Sequence, residues 1–294
     1  RDSESESFKT ILTTDFKVRV DPLFFTFDNK NLYVASNRNR DKSAIYSFDI
    51  TETQEKELIF ENDQVDVSGL MYSKKRKVLT GVSYTVAKRE IFFFDDWRKD
   101  IQNKLERKFP GYEVGITSFS KDEKNAIVVT YSDKSRGTYY SYDVEKNELN
   151  ELAKISPWLN EDHMAEMKPI MYRSRDGLTI PGYLTLPVGS GGKNLPFVVH
   201  PHGGPWARDS WGYNSEVQFL ANRGYAIFQM NFRGSTGYGR KFWESSFKQW
   251  GKTMQDDITD GVNWLIDQGI ADPDRIAIYG ASYGGYATLA GLAF

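Results

Sequence analysis

A four-residue pattern, aromatic-x-aromatic-Asp, occurs three times in the first half of the chain at near-constant spacing. The copies are Tyr46-Ser47-Phe48-Asp49, Phe92-Phe93-Phe94-Asp95 and Tyr140-Ser141-Tyr142-Asp143, and their aspartates lie 46 and 48 residues apart. A second short apolar run precedes each copy, at 31–36, 77–82 and 125–130, and a polar turn cluster precedes each run. Alternating strands that recur every ~40 to 50 residues are the signature of propeller blades. One four-stranded blade cannot bury both its faces alone, whereas stacking against neighbours does so. A β-sandwich with accidental spacing is the alternative. The sequence therefore predicts a partial β-propeller of about three blades over residues 1–155. Trp97 and the other aromatics of this half are assigned to blade packing. Three blades are too few for a ring of at least about four. Earlier blades are thus expected before residue 1, with residues 8–20 as the tail of one.

The second half, 156–294, changes period. Arg175-Asp176-Gly177 reads as the tight turn of a hairpin. Strands are predicted at 196–200, 225–230 and 275–279, with helices at 215–223 and 254–268 closed by Gly224 and Gly269. Asp272-Pro273-Asp274 reads as a turn. Strand-helix alternation predicts a mostly parallel sheet with helices on both faces.

Gly280-Ala281-Ser282-Tyr283-Gly284 matches the G-x-S-x-G turn that lifts a nucleophilic serine above a sheet. It follows a predicted strand and precedes a run of small apolar residues, the setting that motif needs. Its glycines remove side chains from the close strand-helix approach, and the helix N-terminus favours developing negative charge. His202-Gly203-Gly204-Pro205 follows the strand at 196–200 and can aim backbone N–H groups at an oxyanion. The amides of Gly204 and Tyr283 are the expected pair. His202 precedes Ser282, whereas hydrolases of this fold order the triad as serine, acid, histidine, so His202 is read as organising its loop. The loop 231–239 lacks the Gly-Lys-Ser/Thr ending of a phosphate loop and is read as a substrate-side loop. Within it Arg233 either orients the loop or contacts substrate. Asp256, Asp257 and Asp260 open a helix, where negative charge offsets the helix dipole, and are not assigned to catalysis.

Taken together, 172–177, His202–Pro205, 231–239 and 280–285 resemble the prolyl oligopeptidase family of serine peptidases, most closely the acylaminoacyl-peptidase branch. The resemblance covers the second half well. In the first half only the repeat resembles the family's propeller. It implies a propeller over an α/β-hydrolase domain, and hydrolysis of short peptides through an acyl-enzyme on Ser282. It also implies an acid and a histidine after the nucleophile. None follows Ser282 before Phe294, so the chain is expected to be an inactive fragment. Dipeptidyl peptidases, which anchor a free amine with propeller acids, are the nearest rival. Residues 1–160 hold no adjacent glutamate pair. Two further classes share part of the pattern. An esterase has the serine turn and the His-Gly-Gly loop, and a non-catalytic binding propeller has the repeat.

Composition narrows the classes further. A net charge of −2, with 39% hydrophobic and 27% charged residues, suits a globular protein and gives no reason to expect nucleic acid or an anionic membrane as partner. Self-association into a homo-oligomer is left open. The absence of cysteine excludes disulfides, a thiol nucleophile and thiolate metal sites. His163, His200 and His202 show no ligand spacing, so neither metal nor other cofactor is expected. The polar, acidic stretch 1–7 reads as no leader, and a cytoplasmic location is the expectation.

Overall fold

The structure, a computed structural model, describes residues 5–293. The chain forms two compact units. One comprises the residues up to Asp95 together with 237–241, the other 96–236 and the residues from Phe242 onward.

The first unit holds two antiparallel sheets. Strands β1 (Val20–Phe25), β2 (Asn31–Ser36), β3 (Ala44–Asp49) and β4 (Gln54–Phe60) lie in sequence order. Strands β5 (Val67–Ser73), β6 (Val78–Thr85) and β7 (Arg89–Phe93) form a three-stranded sheet. Ala35 and Ile45 of the first sheet share a buried cluster with Val67 and Val82 of the second, so the two sheets pack through their apolar faces. Phe24 stacks on Tyr72 at 4.1 Å and Phe60 on Tyr84 at 5.7 Å. No strand lies in 8–19, where the tail of a further blade was expected. Residues 237–241 are held by Asp66, which accepts from Gly239 N–H, and by Asp41, whose carboxylate accepts from Lys241 N–H.

The second unit opens with helix α1 (Asp96–Lys108), followed by β8 (Glu113–Phe119), β9 (Asn125–Tyr131), β10 (Thr138–Asp143) and β11 (Glu148–Lys154) in one antiparallel sheet. The aromatic-x-aromatic-Asp copies sit in or at the end of β3, β7 and β10, the third strand of each sheet. Their aspartates have a local task. Asp49 Oδ1 accepts from the N–H groups of Thr51 and Glu52, and Asp143 Oδ1 from Lys146 N–H, which shapes the turn into the fourth strand. The second copy has no fourth strand after it. There Asp95 instead accepts from both terminal guanidinium nitrogens of Arg76, at 2.6 and 2.9 Å.

Helix α1 stands within the half read as blades, and Trp97, assigned to blade packing, is a helical residue. Its side chain still packs against the third sheet, 5.7 Å from the Phe119 ring. Trp97, Ile101 and Leu105 recur every four residues, which is a helical face, and Ile101 and Leu105 are buried on Val114, Val128 and Tyr142.

The remaining sheet has the order β12 (Met167–Arg173), β13 (Thr179–Thr185), β15 (Ala226–Met230), β14 (Leu195–Val199), β16 (Ala271–Ile278). It is mixed where a mainly parallel sheet was expected. β12–β13 and β13–β15 pair antiparallel, β14–β15 and β14–β16 parallel. The predicted hairpin supplies the antiparallel edge, because a tight turn can only reverse the chain. Helices α2 (Ser215–Ala221), α3 (Arg240–Glu244), α4 (Thr253–Asp267) and α5 (Tyr283–Ala293) complete the chain. The predicted Asp272-Pro273-Asp274 turn is an irregularity inside β16, where the register with β14 shifts. Helix α4 buries Met254, Ile258 and Leu265 against Phe197, Phe228 and Tyr172 of the sheet. No helix among the described residues is long and apolar enough to cross a membrane.

Candidate active site

Strands β14, β15 and β16 run parallel to one another, so the segments that follow them leave the sheet at one edge. That edge is where ligands bind in open α/β sheets. The three segments are 200–205, 231–236 and 279–282, which fall within the stretches singled out in the sequence.

Ser282 has φ 56°, in the left-handed region that a non-glycine residue adopts only at a cost of roughly 1–2 kcal/mol. Two close approaches hold it there. A Cβ on Gly280 would stand 2.7 Å from the Gly284 carbonyl carbon, and one on Gly284 would stand 2.2 Å from the Pro201 carbonyl oxygen. The strand end, the start of α5 and the segment after β14 thus touch through backbone alone. Substituting Gly284 by alanine is expected to force these segments apart and destabilise the unit by about 1–3 kcal/mol, read by urea denaturation. An unchanged midpoint would show that the contact relaxes freely.

The His202–Pro205 segment lies directly against the serine. A Cβ on Gly203 would be 3.4 Å from Ser282 Cβ and 3.9 Å from its Oγ. Gly203 was not singled out in the sequence, although its place inside the glycine pair was the available signal. Gly204 follows with φ 124° and precedes a cis peptide bond to Pro205. Tyr283 is the first residue of α5, and its ring is buried among Phe232, Trp250 and Tyr286. Burial pushes its phenol well above the ordinary range, so it stays neutral.

The histidines of this edge are engaged elsewhere. His202 Nδ1 lies 2.7 Å from the Gly203 carbonyl, which obliges that nitrogen to donate, and Nε2 faces Ser235 Oγ at 2.9 Å. The ring stacks on Phe232 at 4.4 Å, and burial lowers its pKa. His200 Nδ1 donates to the Tyr279 carbonyl and its ring stacks on the Tyr279 ring, linking the ends of β14 and β16. Asn231 clamps the chain beyond Pro205 by accepting from Asp209 N–H at 2.7 Å and donating to the Asp209 carbonyl at 3.0 Å.

Arg233 points away from solvent and is 5% exposed. Its Nε and Nη2 donate to the two oxygens of Asp257 at 2.8 and 2.7 Å, and Nη1 pairs with Asp176 at 2.8 Å. Burial alone would lower its pKa, but the bonds to Asp257 and Asp176 outweigh it. The guanidinium therefore orients the 231–236 segment by fastening it to α4 and the Asp176 turn. The acidic start of α4 serves the same end. Asp260 accepts from Ser174 Oγ and from the backbone and side chain of Arg175. Side-chain pairing, beyond the helix dipole, accounts for these carboxylates.

Residues 211–294 match the family model described as the prolyl oligopeptidase family. The chain belongs to that family. Among prolyl oligopeptidase relatives, it is 36% identical to a dipeptidyl aminopeptidase BIII of Pseudoxanthomonas mexicana over 98% of its own length and 42% of the relative's. It is also 36% identical to an acylamino-acid-releasing enzyme of Arabidopsis thaliana, over 33% of this chain and 13% of that one. The structure of a Mycobacterium tuberculosis puromycin-hydrolyzing peptidase superposes with a TM-score of 0.72 at 23% identity, covering 92% of this chain and 42% of that one. The chain thus spans about two fifths of the length of the dipeptidyl aminopeptidase that it resembles from end to end.

Proposed function

We propose that the intact protein carrying this chain is a serine peptidase that cleaves short peptides through an acyl-enzyme on Ser282. The observation that carries this reading is Ser282 itself, held at φ 56° between a parallel strand and a helix, with Gly203 packed against it. In the proposed reaction Ser282 Oγ attacks the peptide carbonyl carbon and gives its proton to a base. The carbonyl oxygen, now an oxyanion, accepts from the amides of Gly204 and Tyr283. Collapse expels the amine, which takes the proton, and water then hydrolyses the ester. His200 and His202 are tied to other partners and do not fill the role of base. The base and its acid are assigned to residues of the intact protein outside these 294, and the 294 residues alone are expected to be inactive. The sheets of 20–154 are read as blades of a propeller and the residues from about 156 onward as part of an α/β-hydrolase domain.

A relative matched over 98% of the chain is named a dipeptidyl aminopeptidase, which favours a second reading in which the substrate's free amine is recognised. Assaying the intact protein on a chromogenic dipeptide and on its N-acetylated form decides between them. A preference of about tenfold or more for the free amine establishes the dipeptidyl reading, and the reverse preference the acylaminoacyl one. Hydrolysis of neither, with a competent fold, overturns the peptidase assignment.

A further inference from the structure

The sheet β8–β11 carries a cavity of about 240 Å³ at the end where β9 passes into β10 and β11 leaves the sheet. A bulge in β11 shapes one wall. Thr138 pairs with Lys154 and Tyr139 with Ala153, but Tyr140 pairs with Glu151, so Leu152 has no partner. Simple alternation would send residues 151 and 154 to opposite faces. The bulge returns both to the face shared by Thr138 and Tyr140, and all four line the cavity.

The charges of the lining divide into those already engaged and those that are not. Glu161 accepts from Tyr112 Oη at 2.6 Å, and Arg136 donates to Ser156 Oγ at 3.1 Å. The ammonium groups of Lys134 and Lys154 and the carboxylate of Glu151 have no ion-pair or hydrogen-bond partner among the described residues. Phe109 and Tyr140, with ring centroids 4.9 Å apart, add an apolar surface.

A simple anion would meet Glu151, and a simple cation would meet two lysines. A ligand with both charges satisfies all three. Glu151 and Lys154 occupy successive same-face positions, about 7 Å apart along a strand. A dipeptide spans about 7 Å between its ends, and a single amino acid about half of that. The volume lies below the ~300 Å³ typical of pockets for larger ligands, which favours a small ligand.

We propose that this cavity binds a zwitterionic dipeptide bearing an apolar side chain. Its carboxylate sits at Lys134 and Lys154, its ammonium at Glu151, and its side chain on Phe109 and Tyr140. Binding here involves neither Ser282 nor turnover, so it stands or falls separately from the peptidase reading.

The test is a calorimetric titration of the intact protein, carrying Ser282→Ala to prevent turnover, with Gly-Phe. Saturable binding is expected, weakened at least about tenfold by Lys154→Met and by Glu151→Gln. Both side chains are exposed, and a melting curve checks that the variants fold. On the protein with these residues unchanged, N-acetyl-Gly-Phe and Gly-Phe amide, each lacking one charge, are expected to bind at least about tenfold more weakly than Gly-Phe. No saturable binding, or an affinity indifferent to both substitutions and to both blocked ligands, overturns the proposal. The indifferent case would place the dipeptide elsewhere, including at the Ser282 edge.

Discussion

Replacing Ser282 by alanine in the intact protein is expected to lower turnover of a short chromogenic peptide by about four to six powers of ten. It is also expected to abolish labelling by a serine-directed phosphonate. The size of the loss follows from what remains. On the proposed mechanism the amides of Gly204 and Tyr283 and the substrate contacts persist, but no atom is left to form the acyl-enzyme, and such remnants retain only a small part of the rate. A second variant separates chemistry from strain. Alanine at φ 56° suffers the same backbone penalty as serine, whereas glycine does not. Ser282→Gly is therefore expected to be as inactive as Ser282→Ala yet more stable than it by about 1 kcal/mol in urea denaturation. Peptidase activity that survives in Ser282→Ala would sink the mechanism. Equal stability of the two variants would sink the claim that the turn is strained.

The second large effect concerns Arg233. Its removal as Arg233→Met leaves Asp257, fully buried, without the guanidinium that neutralises it. Breaking one side of a buried pair costs about 3–5 kcal/mol, because the surviving charge must stay buried unpaired or take up a proton. Burial already pushes the Asp257 carboxyl upward against the pull of Arg233, so protonation is the expected escape. The single variant should therefore lose more stability at pH 8 than at pH 5. The double variant Arg233→Met with Asp257→Leu removes both charges and is expected to recover most of the loss. Equal destabilisation in the single and double variants would mean that packing, rather than charge, holds this corner together.

Several elements are legible in the sequence because their signals are local. The third strands of the first three sheets announce themselves by the aromatic-x-aromatic-Asp copies, and the first and third aspartates prove to shape the next turn. Helix α4 and the strands 195–199, 226–230 and 271–278 lie close to where periodicity and glycine stops put them. Helix α1, between the second and third copies of the repeat, is an element that the repeat does not announce. Trp97, Ile101 and Leu105 carry a clean four-residue period there, and the local helical signal prevails in the structure.

The turn at Ser282 is the clearest product of sequence alone. Two glycines flanking a serine between a strand and a helix specify a backbone too close for any side chain, and the structure has that contact at Gly280 and Gly284. The partners of that turn belong to the tertiary structure. The glycine pair marks the 202–205 loop in the sequence, but that Gly203 is the residue packed on Ser282 is decided by the pairing of β14 with β16. The same holds for Arg233, whose partners Asp176 and Asp257 lie far from it in sequence. Strand direction follows this rule too. A hairpin turn reveals one antiparallel pair, but β13 also pairs antiparallel with β15 across the whole of β14 and α2, which leaves two of the four pairings parallel. Local chemistry sets the conformation of a segment through its own turns and periods. Which segments meet is decided by burying faces against one another over long separations, and no short stretch of sequence carries that information.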